Sequence, residues 1–302
     1  MKASILDTIG SPLVEIDGPP GATVAAKIEA ANPGGSAKDR PAREMIDAAE
    51  RAGEIEPGDE LVEATSGNTG IGLALVAAVR GYDLTIVMPD GMSVERRQVM
   101  RAYGATIDLV DGDMGDAEQR AIDLADIDDA YHVSQFTNEH NPAAHVRTTG
   151  PEIVEQVGDR TIDAFVAAVG TGGTISGTAR ALREQFPDVT VVAVEPDANP
   201  FVSAGEPAPD EFQGMGPSFV PETLDRDVID EVEAVALVDA EAECRRLATQ
   251  EGILVGQSSG AASLAARRAA ERLVEDGADE PLVVTLFADS GERYLSTDLF
   301  DG

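Results

Sequence analysis

Lysine is scarce in this chain, and one of its few lysines stands where a reactive amine would be useful. The lysines are Lys2, Lys27 and Lys38, so the 22 Lys plus Arg residues, less 3, leave 19 arginines. Lys38 lies in Asn32-Pro33-Gly34-Gly35-Ser36-Ala37-Lys38-Asp39-Arg40, which reads as a tight turn running into a helix. The positive end of a helix lowers a lysine pKa, which favours the free amine that forms a Schiff base with an aldehyde. A plain surface lysine is the alternative, and the rarity of the residue and its glycine neighbours weigh against it.

Three Gly, Ser and Thr clusters fall where a strand should end and a helix begin, the place where open α/β sheets bind ligands. Gly170-Thr171-Gly172-Gly173-Thr174 follows an apolar run ending at Val169 and opens a helical stretch to Gln185. Glycines permit close backbone approach, and a helix start offers free N–H groups to an anion. On this loop alone a phosphate cup and a dinucleotide fingerprint are equally good readings. Glu195 ends the next strand with no second glycine motif to support the dinucleotide. Thr65-Ser66-Gly67-Asn68-Thr69-Gly70 brings hydroxyls, an amide and helix-start N–H groups together, a set suited to a carboxylate, or else to a simple helix cap. Gly256-Gln257-Ser258-Ser259-Gly260, taken alone, is a cap.

Other chemistries are disfavoured. His132, His140 and His145 crowd one segment without a Gly-x-Ser-x-Gly elbow or the spacing of a zinc site. Cys244, the only cysteine, sits in a helix-like run and can form no internal disulfide, so a packed thiol is expected. The net charge of −34, from 56 acidic residues spread through the chain, makes polyanion binding improbable. With lysine depleted as well, that acidity suggests a surface suited to concentrated salt and a halophile's cytosol. No apolar run approaches the 18 residues or so of a membrane span, and no signal-peptide pattern opens the chain; a soluble, cytoplasmic protein is the expectation.

To position these clusters the chain needs a parallel sheet. Apolar β-rich runs at 23–28, 61–63, 84–88, 106–110, 164–169, 189–194, 232–237 and 282–286 alternate with helical stretches at 40–51, 69–79, 94–103, 142–156, 174–185 and 259–274. That rhythm predicts an α/β fold of βαβ units with helices on both sheet faces. The stretch 196–221, rich in Pro and Gly, reads as a long functional loop.

Taken in order, the segments resemble the fold-type II pyridoxal-phosphate (PLP) enzymes, tryptophan synthase β-like in architecture, and among them the O-acetylserine sulfhydrylase (cysteine synthase) family. Besides the lysine turn and the clusters already named, the likeness rests on Thr8-Ile9-Gly10-Ser11-Pro12-Leu13, Met92-Ser93-Val94-Glu95-Arg96-Arg97, Gln135-Phe136-Thr137-Asn138, Thr148 to Ile153 and Ser290-Gly291-Glu292-Arg293-Tyr294-Leu295-Ser296. It implies two lobes, a larger one of 1–35 and 147–302 that binds the cofactor phosphate and a smaller mobile one of 36–146, with the active site between them.

The resemblance also implies roles. Lys38 would carry PLP and shuttle the α-proton, Asn68 would meet the ring's phenolic oxygen, and Gly170, Thr171, Gly172, Gly173 and Thr174 would hold the phosphate. Ser258 would face the pyridine nitrogen. Thr65, Ser66, Gly67, Thr69 and Gln135 would bind the substrate carboxylate, with Gly214 lining the site opposite. The implied reaction is a ping-pong β-replacement of O-acetyl-L-serine by sulfide, through an aminoacrylate, giving L-cysteine and acetate. No metal is implied. A homodimer is expected, with serine acetyltransferase a possible partner. The rivals are a cystathionine β-synthase type, for which no regulatory module follows the last motif, an O-phosphoserine donor, threonine or serine dehydration, and a non-catalytic homologue that acts by binding. Two places depart from the pattern: Ala37 replaces a bulkier apolar residue, and Phe287-Ala288-Asp289 precedes Ser290 where a Pro-Ser pair is more usual, which puts Asp289 near the expected nitrogen site.

Overall fold

The apolar runs sort into two separate sheets. In the computed structural model, which describes residues 1–128 and 130–301, four strands of the chain's middle pair with one another and the rest form a second sheet. Gly302, the last residue of the larger lobe expected from sequence, lies outside the described residues.

The larger sheet is built from β1 (Leu13–Ile16), β2 (Thr23–Ile28), β7 (Ala164–Ala168), β8 (Thr190–Pro196), β9 (Glu231–Val235) and β10 (Leu282–Phe287), in the order β1-β2-β10-β7-β8-β9. The smaller holds β3 (Glu60–Ala64), β4 (Asp83–Pro89), β5 (Thr106–Val110) and β6 (Tyr131–His132), in the order β5-β4-β3-β6. Among the pairs of these described strands, β1–β2 is antiparallel and the rest are parallel. Every residue of β10 is buried, as a strand covered by helices on both faces requires. Two strands escape the sequence reading because each is too short to show a pattern: β1 has four residues of mixed burial, and β6 has two.

The helices are α1 (Asp39–Ala52), α2 (Asn68–Arg80), α3 (Val94–Ala102), α4 (Met114–Asp128), α5 (His140–Arg147), α6 (Thr149–Val157), α7 (Gly173–Gln185), α8 (Leu237–Arg246) and α9 (Gln257–Glu275). The single helix expected over 142–156 is in fact two, broken at Thr148, whose φ and ψ are −129° and −66°. Pro151 explains the break: it offers no N–H, and its ring would strike the carbonyl of Arg147 in a continuous helix. Leu237, expected at the end of a strand, instead starts α8. Cys244 is buried in α8 and donates to the Gly256 carbonyl at 3.3 Å, a packed thiol whose pKa burial pushes up to about 12.

The long stretch after β8 contains no helix or strand until a short turn of 3-10 helix at Arg226–Val228. Glu195 ties its start. The buried carboxylate accepts the Val202 N–H at 2.7 Å and the Ser203 N–H at 3.2 Å. At the position where a dinucleotide enzyme would hold ribose, this acid therefore holds its own loop.

Candidate active site

The turns that leave β3, β7 and β10 at their C-terminal ends face one another across a cleft of about 670 Å³. Lys38, Thr65, Ser66, Gly67, Asn68, Thr69, Gln135, Gly170, Thr171, Gly214 and Ser258 all line it. Gly172 and Thr174 line a smaller chamber beneath, which Lys38, Gly170, Thr171, Gly214 and Ser258 share. Gly173 is the one expected site residue that lines neither; it packs against Asn141, close enough that no side chain fits there.

Lys38 caps the N-terminus of α1. Its Nζ makes no hydrogen bond or ion pair to any described residue, and its pKa is lowered, by burial first, with the nearby charge of Asp289 opposing. The direction is the expected one; burial is the leading cause.

The chamber at the start of α7 is shaped by absent side chains. Gly172 has φ +86°, a left-handed conformation, and a Cβ there would lie 2.5 Å from Leu224 Cβ. A Cβ on Gly170 would lie 2.8 Å from the Gly214 carbonyl oxygen. The Thr171 hydroxyl is held by Asn141 Nδ2 at 3.1 Å, and that of Thr174 lies 3.2 Å from His145 Nε2. Burial, then Arg40 and Lys38, hold the His145 pKa well below its usual value, so the ring behind the cup is neutral. Sequence reasoning saw in the histidines only absent chemistry and missed this support. The available signal was the spacing of His145 and Thr149, whose side chains meet at 2.8 Å across the helix break.

On the opposite wall the Thr69 hydroxyl donates to Gln135 Oε1 at 2.6 Å, and Gln135 Nε2 donates to Glu63 at 3.1 Å. Ser134, at φ +57°, turns the chain so that Gln135 enters the cleft, backbone strain of the kind concentrated at functional sites. Glu63 on β3 was not foreseen. Ser66 is half-buried and makes no side-chain hydrogen bond to a described residue.

Ser258 and Ser259 part company at the start of α9. Ser258 lines the cleft, whereas Ser259 accepts the Ala288 N–H at 3.0 Å and is structural. Asp289 accepts from Asn68 Nδ2 at 2.7 Å and from the Tyr294 hydroxyl at 3.0 Å, and its Oδ1 is buried without a partner. Asn68 Oδ1 also accepts from Arg293. Asp289 thus lies buried behind the cleft rather than among its lining residues, engaged with the amide expected to meet a cofactor oxygen. Arg96 reaches across from α3: it donates to Gln213 Oε1 at 2.9 Å and lies 5.2 Å from the centre of the Tyr294 ring.

The cavity, the uncompensated amine and the glycine-lined chamber at a helix start together fit a group with an aldehyde, a phosphate and a polar ring. Comparison with known proteins agrees. The family model for pyridoxal-phosphate dependent enzymes matches residues 6–289. A cysteine synthase of Staphylococcus aureus is 47% identical over 281 residues, 92% of this chain and 89% of the relative. Among solved structures, an O-ureido-L-serine synthase superposes with a TM-score of 0.95 at 43% identity, covering 100% of this chain and 96% of that one. A cysteine synthase from Entamoeba histolytica superposes with a TM-score of 0.95 at 36% identity, covering 100% and 91%.

Proposed function

The chain belongs to the pyridoxal-phosphate dependent enzyme family, and from that premise we propose that it is a cysteine synthase, converting O-acetyl-L-serine and sulfide to L-cysteine and acetate. The observation that carries this reading is Lys38, a desolvated amine without a partner, set between a phosphate chamber and a carboxylate loop. Pyridoxal phosphate bound there supplies a ring that stabilises negative charge at the substrate α-carbon. Gly170, Thr171, Gly172 and Thr174 would hold its phosphate through helix-start N–H groups and hydroxyls, with Gly173 contributing its backbone alone. Asn68 and Ser258 would flank the ring. A neutral Ser258 hydroxyl facing the ring nitrogen would leave it unprotonated, which would favour β-elimination over transamination.

Thr65, Ser66, Gly67, Thr69 and Gln135 take the substrate carboxylate, and Gly214 leaves room on the facing wall. Lys38 Nζ, its pKa lowered by burial, removes the α-proton and returns it once sulfide has added. Residues 36–146 form the lobe that closes on 1–35 and 147–302, Arg96 reaching across to Gln213 and Tyr294. The acceptor is the least constrained part of the reading, because an O-ureido-L-serine synthase shares the fold. Purified holoenzyme should turn over O-acetylserine with sulfide faster than O-phosphoserine or serine with either sulfide or homocysteine. A preference for homocysteine would make it a cystathionine synthase instead.

We keep three further proposals with this one. Assembly as a homodimer, checked by light scattering, follows the family. A serine acetyltransferase could dock by placing a C-terminal carboxylate on the Thr65–Gly70 loop. Residence in a halophile's cytoplasm follows from the charge; no helix among the described residues is long and apolar enough to cross a membrane. At −34, self-repulsion acts over about 30 Å in 0.01 M salt and about 3 Å in 1 M salt. The melting temperature should therefore rise with KCl and level off by roughly 0.5–1 M, where screening is nearly complete. A flat profile from 0.05 to 2 M would end the halophile reading and leave the chemistry untouched.

A further inference from the structure

Glu63 sits at the inner end of the bonding chain that runs through Gln135 to Thr69, with no solvent contact. As placed, the chain runs outside to inside: Thr69 donates to Gln135, and Gln135 donates to Glu63. That direction consumes the only hydroxyl hydrogen of Thr69, which then shows the cleft lone pairs alone and cannot donate to a carboxylate. The same heavy-atom positions serve the reverse direction. A half-turn of the Gln135 amide exchanges its oxygen and nitrogen, so that a protonated Glu63 donates to the amide oxygen, the amide NH2 donates to Thr69, and the Thr69 hydrogen is free to face the cleft.

We infer that Glu63 is a positioning residue that acts as a neutral acid, its proton setting the Glu63–Gln135–Thr69 chain in the direction that presents hydrogen-bond donors to the carboxylate of the incoming amino acid. This rests on the reading of Thr65–Gly70 as the carboxylate loop. The surroundings of Glu63 favour the protonated form. No Lys or Arg among the described residues pairs with it, and its Oε2 is buried without a partner. The carboxylate of Glu118 on α4 adds its charge from nearby, and Glu118 in turn lies 3.6 Å from Nε2 of His132, whose pKa burial lowers against that pull. From β4 its register partner is Ile86, and from α2 its neighbour in the chain is Thr69. Burial first, then Glu118, push Glu63 up to about 8, against N–H groups of Gln135 and Ser134.

The sign follows directly. Below pH 8 Glu63 keeps its proton and the donors face outward; above it the chain reverses and a fixed negative charge stands beneath an anion site. Affinity for an amino acid should fall about tenfold from pH 7 to pH 9, as one proton is lost. The probe is L-alanine, which has no leaving group, titrated into holoenzyme and followed by the cofactor's visible absorbance. Glu63→Gln, neutral at every pH and able to donate, should match the native protein at pH 7 and bind about tenfold more tightly than it at pH 9. The ratio of the two cancels the titration of L-alanine itself and of Lys38.

Identical pH profiles, or a Glu63→Gln protein that binds weakly at every pH, would overturn the inference. If Glu63→Gln does not load the cofactor, Gln135→Met serves: the native advantage over it should shrink about tenfold between pH 7 and 9, and a constant advantage would be fatal. Ser66→Ala separates this inference from the reading beneath it. Weak binding by Ser66→Ala at all pH values, with a Glu63→Gln profile that tracks the native one, rejects the role of Glu63 alone. Native affinity in Ser66→Ala removes the carboxylate loop and the inference with it.

Discussion

Lys38→Ala should abolish turnover while leaving the protein folded. Loss of the proton transfer alone costs about 10²–10⁴-fold, and loss of the amine that anchors the cofactor adds to that. Stability should not suffer, because the Lys38 amine makes no bond to a described residue and its burial disfavours its own charge. The cofactor should still reach the phosphate chamber, so the variant can bind it reversibly. In the native protein, borohydride should fix it to the chain. Mapping is unambiguous with three lysines: Lys2 is exposed, and Lys27 is occupied by Glu152 at 2.7 Å and Gln156 at 2.8 Å. A label on either of those, or full turnover by Lys38→Ala, would refute the assignment.

Lys38 was legible because its signal is local: a rare residue in a glycine turn before a helix. The same holds for the phosphate cup, since a strand, five glycine or threonine positions and a helix follow one another within the chain. Strands with long apolar runs, such as β2 and β10, could be placed for the same reason. What the sequence hides is anything that depends on two distant segments meeting. Glu63 looks like an ordinary acid at the end of an apolar strand, and its meaning comes from Gln135, 72 residues away, turned toward it by a strained Ser134. Asp289 could be flagged as unusual, but its grip on Asn68 spans 221 residues. The place of His145 behind the phosphate chamber is hidden in the same way, because its neighbours Thr149 and Thr174 come from α6 and α7.

The same blindness applies to Arg40, two residues beyond Lys38, and Arg40→Met is expected to be among the most damaging single changes to stability. The guanidinium is fully buried and forks onto two carboxylates: Glu29 at 2.7 and 2.9 Å, and Glu152 at 2.7 and 2.8 Å. Lys27 closes the cluster on Glu152, so two cations balance two anions where β2, α1 and α6 meet. Removing Arg40 strands Glu29, which has no solvent contact, with its charge unpaired. Breaking a buried pair in this way costs about 3–5 kcal/mol, far above the 0–1 kcal/mol of an exposed pair. For a chain of this size that is a fall in melting temperature of about ten degrees. Arg40→Lys should lose much of the same, because an ammonium cannot fork onto both carboxylates. Salt separates this cluster from the acidic surface. Surface repulsion is screened by KCl, whereas a pair sealed from water is not, so the loss in Arg40→Met should be as large in 2 M KCl as in 0.5 M. A loss under 1 kcal/mol, or one that fades as salt rises, would mean that the cluster behaves as a surface pair and does not fasten the turn that carries Lys38. A full loss should also weaken cofactor retention, since the turn from Asn32 to Lys38 hangs on Asn32 Nδ2, which donates to the same Glu29 at 2.7 Å.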